Sequence, residues 1–156
     1  MALSFAAQTR QAVRAVEVEL SSPRLDLVAR TRDSTNQEPG ERDRLLEEIV
    51  REYRIGPRDV WAAVLLDLLT PAILVRLARY RTEPPAVDVE DIRQQFVVEL
   101  LTAAATMPMP PNADFVERRL VLRAGQGVRR WLRKEHRNVA WFESTDALDE
   151  KEEESK

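Results

Sequence analysis

Asp88-Val-Glu-Asp-Ile-Arg-Gln-Gln-Phe-Val-Val-Glu-Leu-Leu-Thr-Ala-Ala105 is the stretch whose reading decides the fold class. Val89, Ile92, Phe96, Leu100 and Ala103 recur at intervals of three and four, which is the helical period. Val97, Leu101 and Ala104 widen that stripe until it can face a core. Asp88 is expected to cap the start, because its carboxylate can accept from the unpaired N–H groups of the first turn. Asp91, three positions on, completes a partial capping box. Glu90 and Asp91 also suit the positive end of the helix dipole. On this pattern alone the stretch is a core helix.

Working outward from it, Met107-Pro-Met-Pro-Pro111 stops the helix, since no helix continues through such a run. Asn112 is expected to cap a last helix running to about residue 138. On the other side, Pro84-Pro85 separates the central helix from a unit beginning near Arg58 or Asp59. There Trp61, Val64, Leu65, Leu68 and Leu69 form a buried face. Pro71 interrupts the unit, either as the first residue of a new segment capped by Thr70 or as a kink in one helix. Ile73, Leu74, Leu77, Ala78 and Tyr80 carry the pattern on.

Before that unit, Leu45, Leu46, Ile49, Val50 and Tyr53 mark a helix from Glu41 to Arg54, closed by Gly56 and Pro57. Residues 24–40 are polar and contain Pro39-Gly40, so they read as a mobile linker. Phe5, Thr9, Ala12, Val16 and Leu20 suggest a helix over 4–20, ended by Ser21-Ser-Pro23. No strand and no internal repeat is legible. The expected fold class is all-α: one helical bundle over 41–142, after an N-terminal helix and flexible linker (1–40) and before a disordered acidic tail (143–156).

Composition narrows the function classes. The chain has 156 residues, 44% apolar, with no cysteine and one histidine, His136. Thiol nucleophiles, disulfides and thiolate zinc sites are excluded. No serine, threonine or carboxylate has a histidine partner or an anion-cradling glycine loop, so neither catalysis nor a cofactor is expected. The early residues are too polar for a signal peptide and no run of eighteen apolar residues exists, which suggests a cytoplasmic protein. Glu47, Glu48, Glu52 and Asp43, beside Arg44 and Arg51, read as a salt-bridged surface.

The formal net charge of −3 hides a division. From Asp114 to Arg137, eight basic residues face three acidic ones; from Glu143 to Lys156, seven acidic residues face two lysines. At about 100° per residue, Leu120, Ala124, Val128, Trp131 and Leu132 gather on one side of the last helix. Arg119, Arg123, Arg130, Arg133, Lys134 and Arg137 gather on the other, with Arg118 and Arg129 beside them. One face packs, and the other presents a cationic ridge suited to the phosphates of nucleic acid. A solvated charged face is the plainer alternative. Gly125 and Gly127 are expected to weaken or bend this helix. The acidic tail serves solubility or folds back over the ridge. His136 could touch phosphate, and Trp141 and Phe142 could stack on an unpaired base. Trp61 and Trp131 read as core anchors.

The string Asp88-x-Glu90-Asp91-Ile92-x-Gln94-Gln95-Phe96-x-x-Glu99-Leu100 resembles the second conserved region of bacterial sigma factors, with Gln95 where that family commonly has Glu. The likeness spans about residues 45–140. It implies that Asp91, Gln94 and Gln95 bind the β′ subunit of RNA polymerase. It also implies that the following basic helix contacts promoter DNA, through Arg119, Arg123, Arg129, Arg130, Arg133, Lys134 and Arg137. The family's "W-L-x-x-x-A-R-N" string is matched by Trp131-Leu132-Arg-Lys-Glu-His136-Arg137-Asn138, or in another register by a stretch starting at Phe115. No second helical domain follows, so the resemblance is to a degenerate or accessory member. The expected function is a sigma-like transcription regulator, with room for a regulatory protein partner. The alternative is an adaptor or polymerase-binding inhibitor that never touches DNA.

Overall fold

The computed structural model describes residues 4–17, 22–33, 37–80, 87–110 and 114–153, with side chains for all of these outside 15–17, 22–25 and 138–153. Among them the fold is all-helical: α1 (Phe5–Glu17), α2 (Ser22–Arg32), α3 (Pro39–Ile55), α4 (Arg58–Leu77), α5 (Val89–Thr106) and α6 (Val116–Glu153). They form a single bundle around one hydrophobic core.

The centre of the bundle is α4, which contacts each of the other five helices. Its pattern explains this. Val60, Trp61, Val64, Leu65, Leu68, Leu69 and Ile73 are all buried, and so much apolar surface needs neighbours on several sides. By length and composition alone this helix could cross a bilayer; here half of that span is buried inside the bundle. It runs through Pro71 as one helix, not two. Pro71 has no N–H for the carbonyl one turn back, and Thr70 turns its hydroxyl to the Leu66 carbonyl at 2.7 Å instead of capping a new start.

α5 buries Ile92, Phe96, Leu100, Ala103 and Ala104, as its period predicts. Val89 departs from that stripe and is 62% exposed. Asp88 occupies the N-cap position, yet its carboxylate makes no capping hydrogen bond. The far end of α5 is closed by a side chain from α3. Arg54 donates to the carbonyls of Ala104 and Met107, two of the unpaired acceptors that every helix C-terminus presents. α3 itself starts on Pro39 and ends at Gly56, whose N–H returns to Glu52.

Three expectations need correction. The stretch expected to be a linker contains α2, whose Leu27 and Val28 are buried with Val13 of α1. Its sequence looks polar because two buried apolar residues suffice when neighbouring helices cover them. Thr31 adds a hydroxyl bond to the Val28 carbonyl, and Arg30 pairs with Glu48 of α3 at 3.0 Å. Among the described side chains of α1, Thr9 and Val13 are buried and Ala12 is exposed; the expected Val16 side chain and Leu20 lie outside the described residues. At the other end, α6 continues as helix through Glu153, where a disordered tail was expected from 143. Neither glycine nor proline occurs after Gly127, so nothing in the backbone breaks it. The expected cap Asn112 lies outside the described residues.

Candidate nucleic-acid interface

The cationic helix is fixed to the bundle at its first turn by groups distant in sequence. Asp43 of α3 accepts from the backbone N–H of Phe115 through Oδ2 at 3.0 Å and of Val116 through Oδ1 at 3.1 Å. One carboxylate therefore satisfies two unpaired donors and places negative charge at the positive end of the dipole. Asp43 was expected to be part of a salt-bridged surface; it is the cap of α6. Arg42, its neighbour, grips Glu117 with two bonds at 3.0 and 3.3 Å and donates to the Leu68 carbonyl. Phe115 takes a positive φ of 58° at this junction.

Beyond that turn, Val116, Leu120, Ala124 and Val128 are buried. The two glycines are points of close approach. A Cβ on Gly127 would lie 2.0 Å from the Glu99 carboxylate of α5, and one on Gly125 would lie 2.8 Å from the Arg76 guanidinium of α4. Their lack of side chain lets polar groups of α5 and α4 lie against the α6 backbone. The Tyr80 hydroxyl also donates to the Gly125 carbonyl, at 3.4 Å.

The opposite side of α6 is the ridge. Arg123, Arg129, Arg130, Arg133, Lys134 and Arg137 are all exposed. From Arg123 to Arg137 the ridge extends about 21 Å along the axis. None of these residues has an ion-pair partner among the described residues. Among the described residues, Arg133 donates to the Arg129 carbonyl of its own helix. Arg119 differs from the rest: it is half-buried and its guanidinium donates to the Pro108 carbonyl at 3.1 Å, tying α6 to the loop after α5. His136 and Arg118 are exposed; Trp61 is fully buried and Trp131 half-buried. The side chains of Trp141 and Phe142 lie outside the described residues.

The residues expected to bind polymerase sit on α5. Asp91 and Gln94 are exposed, with Val98 one to two turns further along the same face. Gln94 donates to Glu90 at 3.2 Å, and Glu90 pairs with Arg93 at 2.6 Å. Gln95 is half-buried and donates to Glu99 at 3.0 Å, so it steadies the carboxylate that lies over Gly127. The bundle therefore brings Gln95 toward α6 and leaves Asp91 and Gln94 on the outside.

Sequence reasoning missed Asp43, Arg42, Arg54 and Glu99, which position the interface without belonging to it. The two nearby glycines in a helix were the available signal, read as a bend when they mark close packing. Compared with family models, curated proteins and solved structures, the chain matches none.

Proposed function

We propose that this protein binds nucleic acid through the α6 ridge, as a sigma-like transcription regulator that also docks RNA polymerase through the exposed edge of α5. The observation that carries the reading is the ridge: a run of exposed arginines with no described carboxylate opposing them, on a helix anchored at its first turn. An ordinary solvated face carries counter-charges at helical spacing, and here the acidic residue of the first turn, Glu117, is held by Arg42. Guanidinium groups in such a row suit phosphate, which they bind bidentately. The polymerase contact rests on the Asp88–Leu100 string and on the exposure of Asp91 and Gln94.

The test is fluorescence anisotropy with a labelled duplex and a bubble-containing duplex over a salt series. Binding should be strong at low salt, and Arg123→Ala or Arg130→Ala should each lower the salt slope by about one while weakening all sequences alike. A preference for the bubble supports the sigma-like mode. In parallel, Gln94→Ala should reduce retention of core polymerase in a pull-down without affecting stability. No binding to either DNA at low salt removes the nucleic-acid reading and leaves the adaptor. No retention of polymerase removes the sigma-like mechanism.

A further inference from the structure

A groove of about 600 Å³ lies between α4 and α6. Its floor is apolar, formed by Ala72 and Val75 of α4 with Val121 and Leu122 of α6. Val75 and Leu122 are 61% and 40% exposed, so apolar surface there is left for something to cover. Three arginines line it as well: Arg76 near the end of α4, Arg79 just after it, and Arg118 in the first turn of α6. None of the ridge residues from Arg123 to Arg137 takes part.

These cations have no counter-charge. None of the three guanidinium groups has an ion-pair or hydrogen-bond partner among the described residues. The carboxylate in the lining, Glu117, is held by two bonds from Arg42. Arg76 is the informative member. It is half-buried, and its guanidinium lies over Gly125, where a Cβ would come within 2.8 Å of it. The missing side chain at Gly125 makes room for this arginine. The Tyr80 hydroxyl, on the Gly125 carbonyl at 3.4 Å, ties the chain after α4 to the same point. A solvated arginine needs no such niche. A guanidinium drawn partly out of water without a partner is destabilised, and an anion bound beside it offsets that cost.

The dimensions select the occupant. The walls run from Pro71 to Arg76 on α4 and from Glu117 to Leu122 on α6, about 8 Å of helix on each side. A docked peptide helix spreads its anchors from i to i+7, about 10 Å of wall or more. A bilayer rests against a protruding face, not a groove. A free small molecule fits, since ligand sites of about 300–1,000 Å³ combine an apolar lining with a few placed polar groups. We propose that the α4/α6 groove binds a small amphiphilic carboxylate, a short acyl chain or an aromatic ring ending in one anionic head. The head sits among Arg76, Arg79 and Arg118, whose planar forks match its two oxygens. The apolar body covers Val75, Val121 and Leu122. Because the site uses no residue of the ridge, it stands or falls independently of nucleic-acid binding.

Isothermal titration calorimetry of the full chain with octanoate tests it. Octanoate should bind at one site, less tightly as salt rises. Octanol keeps the chain without the charge, and acetate keeps the charge without the chain; each should bind at least about tenfold more weakly. Arg76→Gln and Arg118→Gln should each weaken octanoate by about tenfold. Val75→Asp, which sets a carboxylate on the exposed floor, should abolish binding. Arg44→Gln, an exposed arginine of α3 remote from the groove, should leave it unchanged. Circular dichroism checks that each variant is folded, and Arg118→Gln and Val75→Asp alter exposed side chains that the fold does not need. No saturable binding of octanoate in the millimolar range overturns the proposal. So does octanol binding as tightly as octanoate, octanoate binding indifferent to Arg118→Gln and Val75→Asp, or an equal loss in Arg44→Gln, which would mark attraction to arginine in general.

Discussion

Asp43→Ala is the substitution that tests how α6 is held. The Asp43 carboxylate spans two consecutive backbone donors, Phe115 and Val116, at 3.0 and 3.1 Å. Loss of a capping side chain costs about 0.5–2 kcal/mol. Removing a negative charge from a partly buried helix N-terminus adds about 0.3–1 kcal/mol. Water can reach the freed Phe115 amide, which is exposed, more readily than the part-buried Val116 amide. The expected destabilisation is therefore about 2 kcal/mol, which in a chain of this size lowers Tm by roughly 4–8 °C. Asp43→Asn keeps one acceptor but loses the charge and the second bond, so it should cost about half as much. Urea denaturation followed by circular dichroism gives the magnitude. Hydrogen exchange gives the location: the Phe115 and Val116 amides should lose protection beyond the global change, while Ala124, deep in the helix, should follow the global change alone. Destabilisation below about 0.5 kcal/mol, in the range of an ordinary surface substitution, would refute the capping argument.

Other consequences follow from the packing. Phe96 is fully buried on α5, so Phe96→Ala should cost about 3–5 kcal/mol in chemical denaturation, and a loss under about 1 kcal/mol would show that the core closes over the gap. Gly127→Ala gains helix propensity but drives a methyl into the Glu99 carboxylate; in a Glu99→Ala background the same change should stabilise by about 0.5–1 kcal/mol, and a double-mutant cycle without coupling would show that Glu99 swings aside freely. Burial raises the pKa of Asp67 above its ordinary 3.8, against the opposing charges of Arg10 and Arg32 and the Thr9 hydroxyl. A raised folded-state pKa means that the folded chain binds the proton more tightly than the unfolded one. Asp67 thus withdraws stability as pH rises above 3.8, and below that value it is protonated in both states. Asp67→Asn should accordingly be more stable than the parent at neutral pH, with the difference closing under acid; equal stability at both pH values would contradict this.

Much of the fold was legible because helix periodicity is local. Phe96 and its neighbours at three- and four-residue spacing announce a buried face whatever covers it, and Gly56 with Pro57 ends α3 by backbone chemistry alone. The exposed ridge was legible for the same reason, since facing on a helix needs only the residue count. The α2 helix was not: among its described side chains only Leu27 and Val28 are buried apolar ones, and the walls supplied by α3 and α4 make them sufficient.

The sequence by itself determined that the chain is helical, where most of its helices break, and that most arginines of α6 lie off its apolar stripe. Only the tertiary structure decided what each polar group does. Asp43 meets the start of α6 across 72 residues, and Arg54 closes α5 across 50 and more. Glu99 rests on Gly127, and Arg119 turns from the ridge to Pro108. A charged side chain in a sequence has many partners of equal promise, because the attraction between charges is not directional. Which one it meets is fixed when the apolar faces pack and bring particular backbone donors and acceptors within reach.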